Sequence, residues 1–245
     1  MTSPLFPQKA VVFGRRKGRP LRKTKTALVK DLLPSLEFHL SPEERLPPSL
    51  FKEIKPLWIE IGYGTGDHLI SQLREHPHCN FIGCEPFLGG IADFLEKLSS
   101  LTLPFENIRL FTQDARSLLK ALDTNSVEKI FLLFPDPWPK KKHNKRRFLN
   151  HDTLLELIRT LTPLGTLVIA SDHDDYYECM LTLVTQNKSL TLQKQGVLLN
   201  SNNPLERPLF WPMTRFERKA HQAQRQSRYM ILQKCASVLP SLSKV

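Results

Sequence analysis

The chain has 245 residues, enough to bury the core of one sizeable α/β domain or at most two small ones. It contains no apolar run of membrane-spanning length and no signal peptide, so we expect a soluble, cytoplasmic protein that does not act at a membrane. The formal net charge is +11, with 35 basic against 24 acidic residues, and this favours a polyanionic partner such as a nucleic acid.

The four cysteines lie far apart in sequence and form no Cys-x-x-Cys pair: Cys79, Cys84, Cys179 and Cys235. Zinc sites usually show paired cysteine or histidine ligands at short spacing, and this chain lacks that pattern. We therefore expect no metal site, and cysteines that stay reduced inside the cell.

The N-terminal region differs in composition from the rest of the chain. Its first 30 residues carry nine basic side chains and no acidic one. We predict a mobile basic arm over residues 1–25, then a helical stretch in 26–54 that is broken by Pro34 and followed by a proline-rich connector. The sequence thus divides into an arm and helical extension, 1–54, and a larger α/β domain, 55–245.

From residue 58 onward, short apolar runs alternate with amphipathic stretches of helical period. Strands are predicted at 58–61, 80–84, 108–111, 130–134 and 166–170, and helices at 67–75, 87–98 and 153–161. This alternation predicts an α/β fold with a mostly parallel sheet that has helices on both faces. A short last strand, 229–232, is expected to close the sheet edge.

A glycine-rich turn follows the first predicted strand, in the stretch Glu-Ile-Gly-Tyr-Gly-Thr-Gly over residues 60–66. Gly62 and Gly64 permit a positive φ and a close approach of the backbone to a ligand. The next two strands end near Glu85 and Asp114, where acids can bind a ribose and an adenine edge. These features predict a site for a nucleoside-containing cofactor.

Charge indicates which cofactor fits this loop. Glu60 precedes the glycines and Asp67 follows them, and both would repel the pyrophosphate of a dinucleotide. The spacing is also Gly-x-Gly-x-Gly and not the Gly-x-Gly-x-x-Gly of dinucleotide-binding folds. A sulfonium cation with a zwitterionic tail tolerates the acids better, so we expect S-adenosyl-L-methionine.

The stretch 134–147 carries the strongest functional signal. A buried strand ends at Phe134, and prolines at positions 135, 137 and 139 then deny the chain a helix. Asp136 is thereby placed in a stiff loop at the carboxyl end of a strand, where ligands bind in open α/β sheets. A basic run follows over 140–147, which indicates chemistry on a nucleic acid.

In these motifs the chain resembles the bacterial tRNA (guanine-N7-)-methyltransferase family. The similar segments are Gly-Arg-Arg-Lys-Gly-Arg at 14–19, the glycine loop at 60–66, Phe-Pro-Asp-Pro-Trp-x-Lys at 134–140, His-Asn-Lys-Arg-Arg at 143–147, Ser-Asp-His at 171–173 and Thr-Arg-Phe-Glu at 214–217. The resemblance implies a seven-stranded Rossmann-like methyltransferase fold, with domain 55–245 as the S-adenosylmethionine-dependent unit. It also implies that tRNA is methylated at a guanine N7 in its variable loop.

The resemblance further implies a role for individual residues. Cofactor contacts are expected from Glu60, Gly62, Gly64, Glu85 and Asp114. Asp136 is the expected catalytic residue and also contacts substrate, together with Lys140, Asp172, Thr214, Arg215, Phe216 and Glu217. The expected RNA-binding residues are Lys142, His143, Asn144, Lys145, Arg146 and Arg147. Either a monomer or a homodimer is compatible with the sequence.

Guanine N7 has a free lone pair and no proton, so the reaction needs alignment more than a strong base. Asp136 could stabilise the positive charge that the base gains, or it could hold the guanine N1–H and amino group. Asp172 could be a second guanine-holding acid or the N-cap of a helix over 174–186. Trp138, Phe210 or Trp211 could stack on the base.

Three other interpretations remain open. Asp136-Pro137-Trp138 resembles the Asp-Pro-Pro-Tyr loop of amino-methyltransferases that act on adenine or cytosine, although the basic run would then be unexplained. An RNA-binding module with a vestigial cofactor site would show spoiled cofactor positions, and here they are intact. An NAD oxidoreductase fits the loop pattern and the charges least.

Residues 14–25 could also fold over the site as a lid.

Overall fold

A computed structural model describes residues 18–41, 43–101, 105–199, 207–208 and 211–236. Its helices are α1 (Lys23–Asp31), α2 (Leu33–Leu36), α3 (Asp67–Glu75), α4 (Leu88–Ser99), α5 (Ala115–Ala121), α6 (His151–Thr160), α7 (Asp174–Thr185) and α8 (Arg215–Gln222). Its strands are β1 (Glu37–Phe38), β2 (Leu57–Ile61), β3 (Asn80–Cys84), β4 (Ile108–Phe111), β5 (Val127–Leu133), β6 (Leu161–Ser171), β7 (Leu190–Val197) and β8 (Arg228–Lys234). Short 3₁₀ helices cover Pro48–Leu50, Phe105–Asn107 and Lys141–Arg146.

The described strands form one sheet in the order β1-β4-β3-β2-β5-β6-β8-β7. Strands β1 to β6 pair in parallel, whereas β8 runs antiparallel to both β6 and β7. This confirms the predicted mostly parallel α/β sheet. The described sheet has eight strands where seven were predicted, because the two-residue β1 adds to the β4 edge.

The C-terminal strand does not lie where the sequence placed it. We expected it to close the sheet edge, but β8 lies between β6 and β7. The edge strand is β7, whose sequence Leu-Thr-Leu-Gln-Lys-Gln-Gly-Val is mostly polar and mostly solvent-facing. An edge strand with little apolar burial gives only a weak sequence pattern, and this explains why β7 was not predicted.

Helices cover both faces of the sheet, as predicted. One apolar cluster packs α5, α6 and α7 against one face, and it includes the fully buried Leu118, Leu157 and Met180. The second cluster packs α3 and α4 against the other face, and Phe94 and Leu95 are its most buried helical residues. Burial of each such side chain stabilises the fold by about 1.5–3 kcal/mol, so the sheet is a rigid platform for its carboxyl edge.

The helical extension packs on the α/β domain. Leu33 and Leu36 of α2 belong to the same apolar cluster as α4. Lys25 of α1 forms ion pairs with Asp93 and Glu96 of α4. The helix begins at Lys23, so the predicted arm over 1–25 ends earlier than expected. Residues 1–17 of the arm, which include 14–17 of the predicted lid, lie outside the described residues. The boundary between 54 and 55 stays a prediction.

None of the helices in the described part of the chain combines the length and the apolar character needed to cross a membrane.

Candidate active site

A cavity of about 480 Å³ opens at the carboxyl ends of β2, β3, β4 and β5. Parallel strands deliver their following loops to this edge, which is the expected ligand site of an open α/β sheet. The cavity brings together eight of the residues predicted from sequence: Gly62, Gly64, Glu85, Asp114, Asp136, Arg146, Arg215 and Phe216. Lys219, a member of a basic cluster in the sequence, also lines it, as do Gln113 and Arg116, which were not singled out from sequence.

The glycine loop adopts a backbone that other residues rarely tolerate. Gly62, Gly64 and Gly66 have φ values of 76°, 55° and 73°. A side chain at Gly62 would meet no protein atom within 4 Å, so its backbone faces the open cavity. A Cβ at Gly64 would lie 2.7 Å from Cε2 of Phe216. The loop therefore leaves bare backbone on the cavity wall and carries the Phe216 ring against it.

Glu85 is held firmly in the cavity wall. Its two carboxylate oxygens accept the backbone N–H groups of Gly64 and Phe87, each at 2.9 Å. Burial raises the pKa of Glu85 above its ordinary value, although both N–H donors act in the opposite direction. Each oxygen keeps acceptor capacity for a ligand hydroxyl.

Asp114 caps the N-terminus of α5 and is also buried. Its Oδ1 accepts the N–H of Arg116 at 2.9 Å, and its Oδ2 lies 3.0 Å from the Arg116 guanidinium. The charge of Asp114 is thus balanced on one side, and the cavity lies on the other.

Glu60 does not reach the main cavity. It is buried at the end of β2, and its Oε2 lies 2.7 Å from Nδ1 of His68 in α3. Glu60 lines a small neighbouring cavity of about 10 Å³ together with Thr214. Phe216 is among the residues that line both cavities, so the two cavities are neighbours.

The loop that carries Asp136 has an unusual backbone. Phe134 and Trp138 have positive φ values of 53° and 42°, on either side of the Pro-Asp-Pro segment. Asp136 is exposed at the cavity mouth, yet the surrounding walls withdraw water from its carboxyl group and burial raises its pKa. Positive φ at residues other than glycine concentrates at functional sites.

The basic run forms a 3₁₀ helix beside this loop. Lys140, Lys142 and Lys145 are exposed. His143 and Arg146 are half-buried against Trp138, with the His143 ring 5.9 Å away edge-on and the Arg146 guanidinium 4.9 Å from the ring centre. The exposed lysines present positive charge next to Asp136.

Asn144 and Arg147 form hydrogen bonds within the protein, although Asn144 is exposed and Arg147 is buried. The Asn144 amide, in the orientation that its surroundings favour, donates to the carbonyl oxygens of Trp138 at 3.1 Å and Lys140 at 3.3 Å. Arg147 is 4% exposed and contacts Pro137 and Asp175. Two residues predicted to bind RNA thus have protein partners.

The predicted substrate residues of the C-terminal half separate into two groups. Arg215 and Phe216 line the cavity, but Thr214 and Glu217 form the capping box that begins α8. Glu217 is fully buried, with Nη2 of Arg207 at 2.5 and 2.7 Å from its two oxygens. Arg207 was missed from sequence because it lies in an irregular segment without a motif.

Asp172 lies just beyond β6 and forms an ion pair with Arg225 at 2.8 Å. The alternative that it caps the following helix is wrong, because α7 begins at Asp174 and its N-cap residue is His173. Trp211 is fully buried and cannot stack on a substrate base, whereas Trp138 lines the cavity. Phe210 lies outside the described residues.

No group of three or more His, Cys, Asp or Glu side chains is arranged to hold a metal ion within the described residues.

Comparison with known proteins gives a consistent result. A family profile described as "Putative methyltransferase" matches residues 54–230. A tRNA (guanine-N(7)-)-methyltransferase of Rhodospirillum rubrum is 38% identical over 227 residues, which cover 91% of this chain and 87% of that protein. A protein of the same name from Rhizobium meliloti is 39% identical over 222 residues, covering 89% of this chain and 92% of the relative.

Solved structures agree in fold. A 16S rRNA methyltransferase, KamB, superposes with a TM-score of 0.56 at 12% identity and covers 78% of this chain and 95% of its own. An antibiotic-related methyltransferase gives a TM-score of 0.51 at 16% identity, covering 74% and 88%. These likenesses confirm the Rossmann-like methyltransferase fold. Together with the sequence relatives they confirm the resemblance seen in the motifs, and the chain belongs to the tRNA (guanine-N(7)-)-methyltransferase family.

Proposed function

We propose that this protein transfers a methyl group from S-adenosyl-L-methionine to N7 of a guanine in the variable loop of tRNA. The observation that carries the proposal is the single cavity in which a glycine loop and Glu85 face Asp136, with exposed lysines around its mouth. We also propose that the protein works in the cytoplasm; its oligomeric state stays a prediction.

The residues present fit the cofactor. The open backbone at Gly62 leaves a cradle that a Cβ would fill. Glu85 is fixed by two N–H groups and can accept the ribose hydroxyls with its remaining lone pairs, and Asp114 lies at the next strand end, where it can contact the adenine edge. When bound, the cofactor supplies an electrophilic methyl group on a sulfonium centre.

Glu60 has a supporting role in this scheme. Its carboxylate is buried beneath the glycine loop and is paired with His68, away from the main cavity. It contributes negative potential below the loop, which suits a cationic cofactor better than a pyrophosphate. We assign Glu60 no direct contact with the cofactor, because it lines the small neighbouring cavity and not the main one.

Asp136 is the group best placed to act on the substrate base. N7 attacks through its own lone pair, so the protein has to align the base and to tolerate the positive charge that develops on it. Asp136 lies at the cavity mouth on a rigid loop and can either balance this charge or accept hydrogen bonds from guanine N1–H and its amino group. Trp138 and Phe216 offer aromatic faces within the same cavity.

The surroundings of Asp136 suit a polyanion. Lys140, Lys142 and Lys145 are exposed next to the Asp136 loop, and Arg215 and Lys219 lie on the α8 side of the cavity. Cations on two sides of the mouth can hold the phosphates that flank the target nucleotide. Asp172, Thr214 and Glu217 are proposed to act through their protein contacts, since they do not line the main cavity.

A substrate analogue tests the acceptor atom. One tRNA transcript contains guanosine and a matched transcript contains 7-deazaguanosine, in which carbon replaces N7. We expect methyl transfer to the first and none to the second, with similar binding of both. Transfer to both would overturn the N7 assignment and favour the amino-methyltransferase alternative. Binding without transfer to either would favour the RNA-binding module.

A further inference from the structure

Arg147 is the last residue of the basic run, but its side chain does not face solvent with the others. It is 4% exposed, whereas Lys142 and Lys145 are exposed. Its side chain lies between the Asp136 loop and the first turn of α7. A guanidinium buried in this way is not available to bind a phosphate of RNA.

Three contacts occupy the Arg147 guanidinium. Its Nε donates to the carbonyl oxygen of Pro137 at 2.8 Å, directly after Asp136 in the chain. Its Nη2 donates to Oδ2 of Asp175 at 2.6 Å. Its carbon Cζ lies 4.6 Å from the centre of the Tyr176 ring. Arg147 therefore links the Asp136 loop to α7.

The loop it contacts needs external support. The positive φ values of Phe134 and Trp138 cost about 1–2 kcal/mol each, and such strain persists only where surrounding structure fixes the conformation. At the start of the loop, Phe134 N–H donates to the carbonyl oxygen of Ala170 at 2.9 Å. At its centre, the Arg147 contact to Pro137 holds the peptide next to Asp136.

The geometry requires arginine at this position. The planar guanidinium donates in two directions and stacks on an aromatic ring at the same time. The ammonium of a lysine is a compact group that cannot span the carbonyl oxygen, the carboxylate and the ring together. A lysine would keep the charge yet release the loop.

We propose that Arg147 is a positioning residue that fixes Asp136 in its reactive place, and that it is not a contact to tRNA phosphate. The proposal deepens the proposed function and rests on it, because it assigns a support to the catalytic loop. Arg147 thus has a different role from residues 142–146, with which the sequence grouped it as RNA-binding.

The test compares Arg147→Lys and Arg147→Ala with Lys145→Ala. For each variant, tRNA binding is measured at several salt concentrations, and kcat is measured at saturating tRNA and cofactor. For Arg147→Lys we expect kcat to fall by about 100-fold, the usual cost of a misplaced catalytic group. Because lysine keeps the charge, the salt slope is read from Arg147→Ala, in which we expect it to stay unchanged. For Lys145→Ala we expect the slope of log K against log salt to decrease by about one.

A double-mutant cycle excludes a loss that is merely structural. Asp175 is an exposed acid that cannot bind phosphate, and Asp175→Asn removes only its ion pair with Arg147. We expect Asp175→Asn to lower kcat by about 5-fold, the upper range for a partly exposed pair. The Arg147→Lys/Asp175→Asn double variant should lose no more kcat than Arg147→Lys alone, because both act through one contact.

Rates are normalised to the number of folded sites, counted from the stoichiometry of cofactor binding. A salt slope that decreases by about one in Arg147→Ala would overturn the proposal and restore the RNA contact. A normalised kcat of Arg147→Lys equal to that of the wild type would overturn it too, as would fully additive effects in the cycle. Failure of the proposed function is distinguishable, because the wild-type protein would then place no methyl group on guanine N7.

Discussion

Phe134 and Trp138 both adopt a left-handed backbone, with φ values of 53° and 42°, and they stand symmetrically on either side of Asp136. Each also precedes a proline, which restricts its backbone further. Because this conformation is costly for residues with a Cβ, the fold must hold it in place. The loop that presents Asp136 is thus a fixed and strained element at the mouth of the cavity.

Substitution of Asp136 distinguishes its two possible roles. Asp136→Ala should lower kcat by about 100-fold, comparable to the loss of one electrostatic group, with cofactor affinity unchanged. Asp136→Asn keeps one acceptor oxygen but no charge, so it is assayed on tRNA with inosine at the target position, which has N1–H but no amino group. A low kcat then means that Asp136 balances charge, whereas recovery means that it orients the base. Asp152→Asn, at the start of α6, is a control for loss of one acid. Wild-type kcat in Asp136→Ala would contradict the assignment.

Cofactor binding should depend on pH through Glu85. Burial raises its pKa above the ordinary value of 4.5, so the carboxylate becomes protonated at a higher pH than in a free glutamate. Only the ionised form accepts hydrogen bonds with both oxygens, and affinity should therefore decrease as the pH falls through the raised pKa. Calorimetry from about pH 8 to about pH 5 measures this. Glu85→Gln should bind the cofactor weakly, and its affinity should not change over this pH range. An equal pH dependence of cofactor affinity in Glu85→Gln would contradict the assignment to Glu85.

The two cavity-facing glycines form a matched pair. Gly62→Ala and Gly64→Ala should each lower the free energy of unfolding by about 1 kcal/mol, because alanine is strained at a positive φ. The Gly64 variant also pushes a methyl group against Phe216, whereas the Gly62 variant meets no protein atom. We expect the free energy of unfolding of Gly64→Ala to be lower by about a further 1 kcal/mol, because the added methyl group overpacks the site. Denaturant unfolding measures this difference. Equal stabilities would show that the Phe216 ring moves freely away from the loop.

Arg207 and Glu217 should contribute to stability more than to substrate contact. Arg207→Met leaves the Glu217 carboxylate buried and unpaired and should destabilise the fold by about 3 kcal/mol. Arg207→Met/Glu217→Leu should be no less stable than Arg207→Met, since two apolar groups avoid the orphaned charge. Denaturant unfolding measures both. An unchanged stability in Arg207→Met, with weaker tRNA binding in Glu217→Gln, would instead favour a direct substrate role for Glu217.

The exposed lysines should contribute to tRNA affinity through phosphate contacts. Lys142→Ala should decrease the salt slope of tRNA binding by about one, because one fewer counterion is released. Lys188→Ala makes the same charge change at the far end of α7 and serves as the control. Binding titrations at several salt concentrations decide the point. Equal slopes for the two variants would show that Lys142, in the 3₁₀ segment, makes no contact with tRNA phosphates.

Local sequence patterns predicted the part of the fold that forms the site. The bounds of α3, β3 and β4 agree with the predicted 67–75, 80–84 and 108–111, because glycine, proline and apolar period mark them clearly. The edge strand β7 and the central place of β8 depend on long-range pairing, which leaves no local pattern. The Asp136 loop was predicted from its prolines, but its positive φ values were not.

Local sequence patterns led to residues that line the cavity, whereas residues that depend on long-range contacts were not found in this way. Residues at strand ends, such as Glu85 and Asp136, were found because the topology brings these ends together. Glu217 was assigned to substrate, although Thr-x-x-Glu before a helix is also the signature of a capping box, and the structure has that box. Its partner Arg207 could not be predicted, since it lies ten positions away in the sequence and belongs to none of the motifs.

Methylation of guanine N7 in the variable loop of tRNA is the reaction that we assign to this cavity. The most direct measurement incubates unmodified tRNA with methyl-labelled S-adenosyl-L-methionine and digests one part of the product to nucleosides and another to oligonucleotides. Mass spectrometry then identifies the labelled nucleoside and its position. We expect label in 7-methylguanosine from the variable loop, and its loss in Asp136→Ala. Label in a methylated adenosine or cytidine, or tRNA that binds without acquiring label, would contradict it.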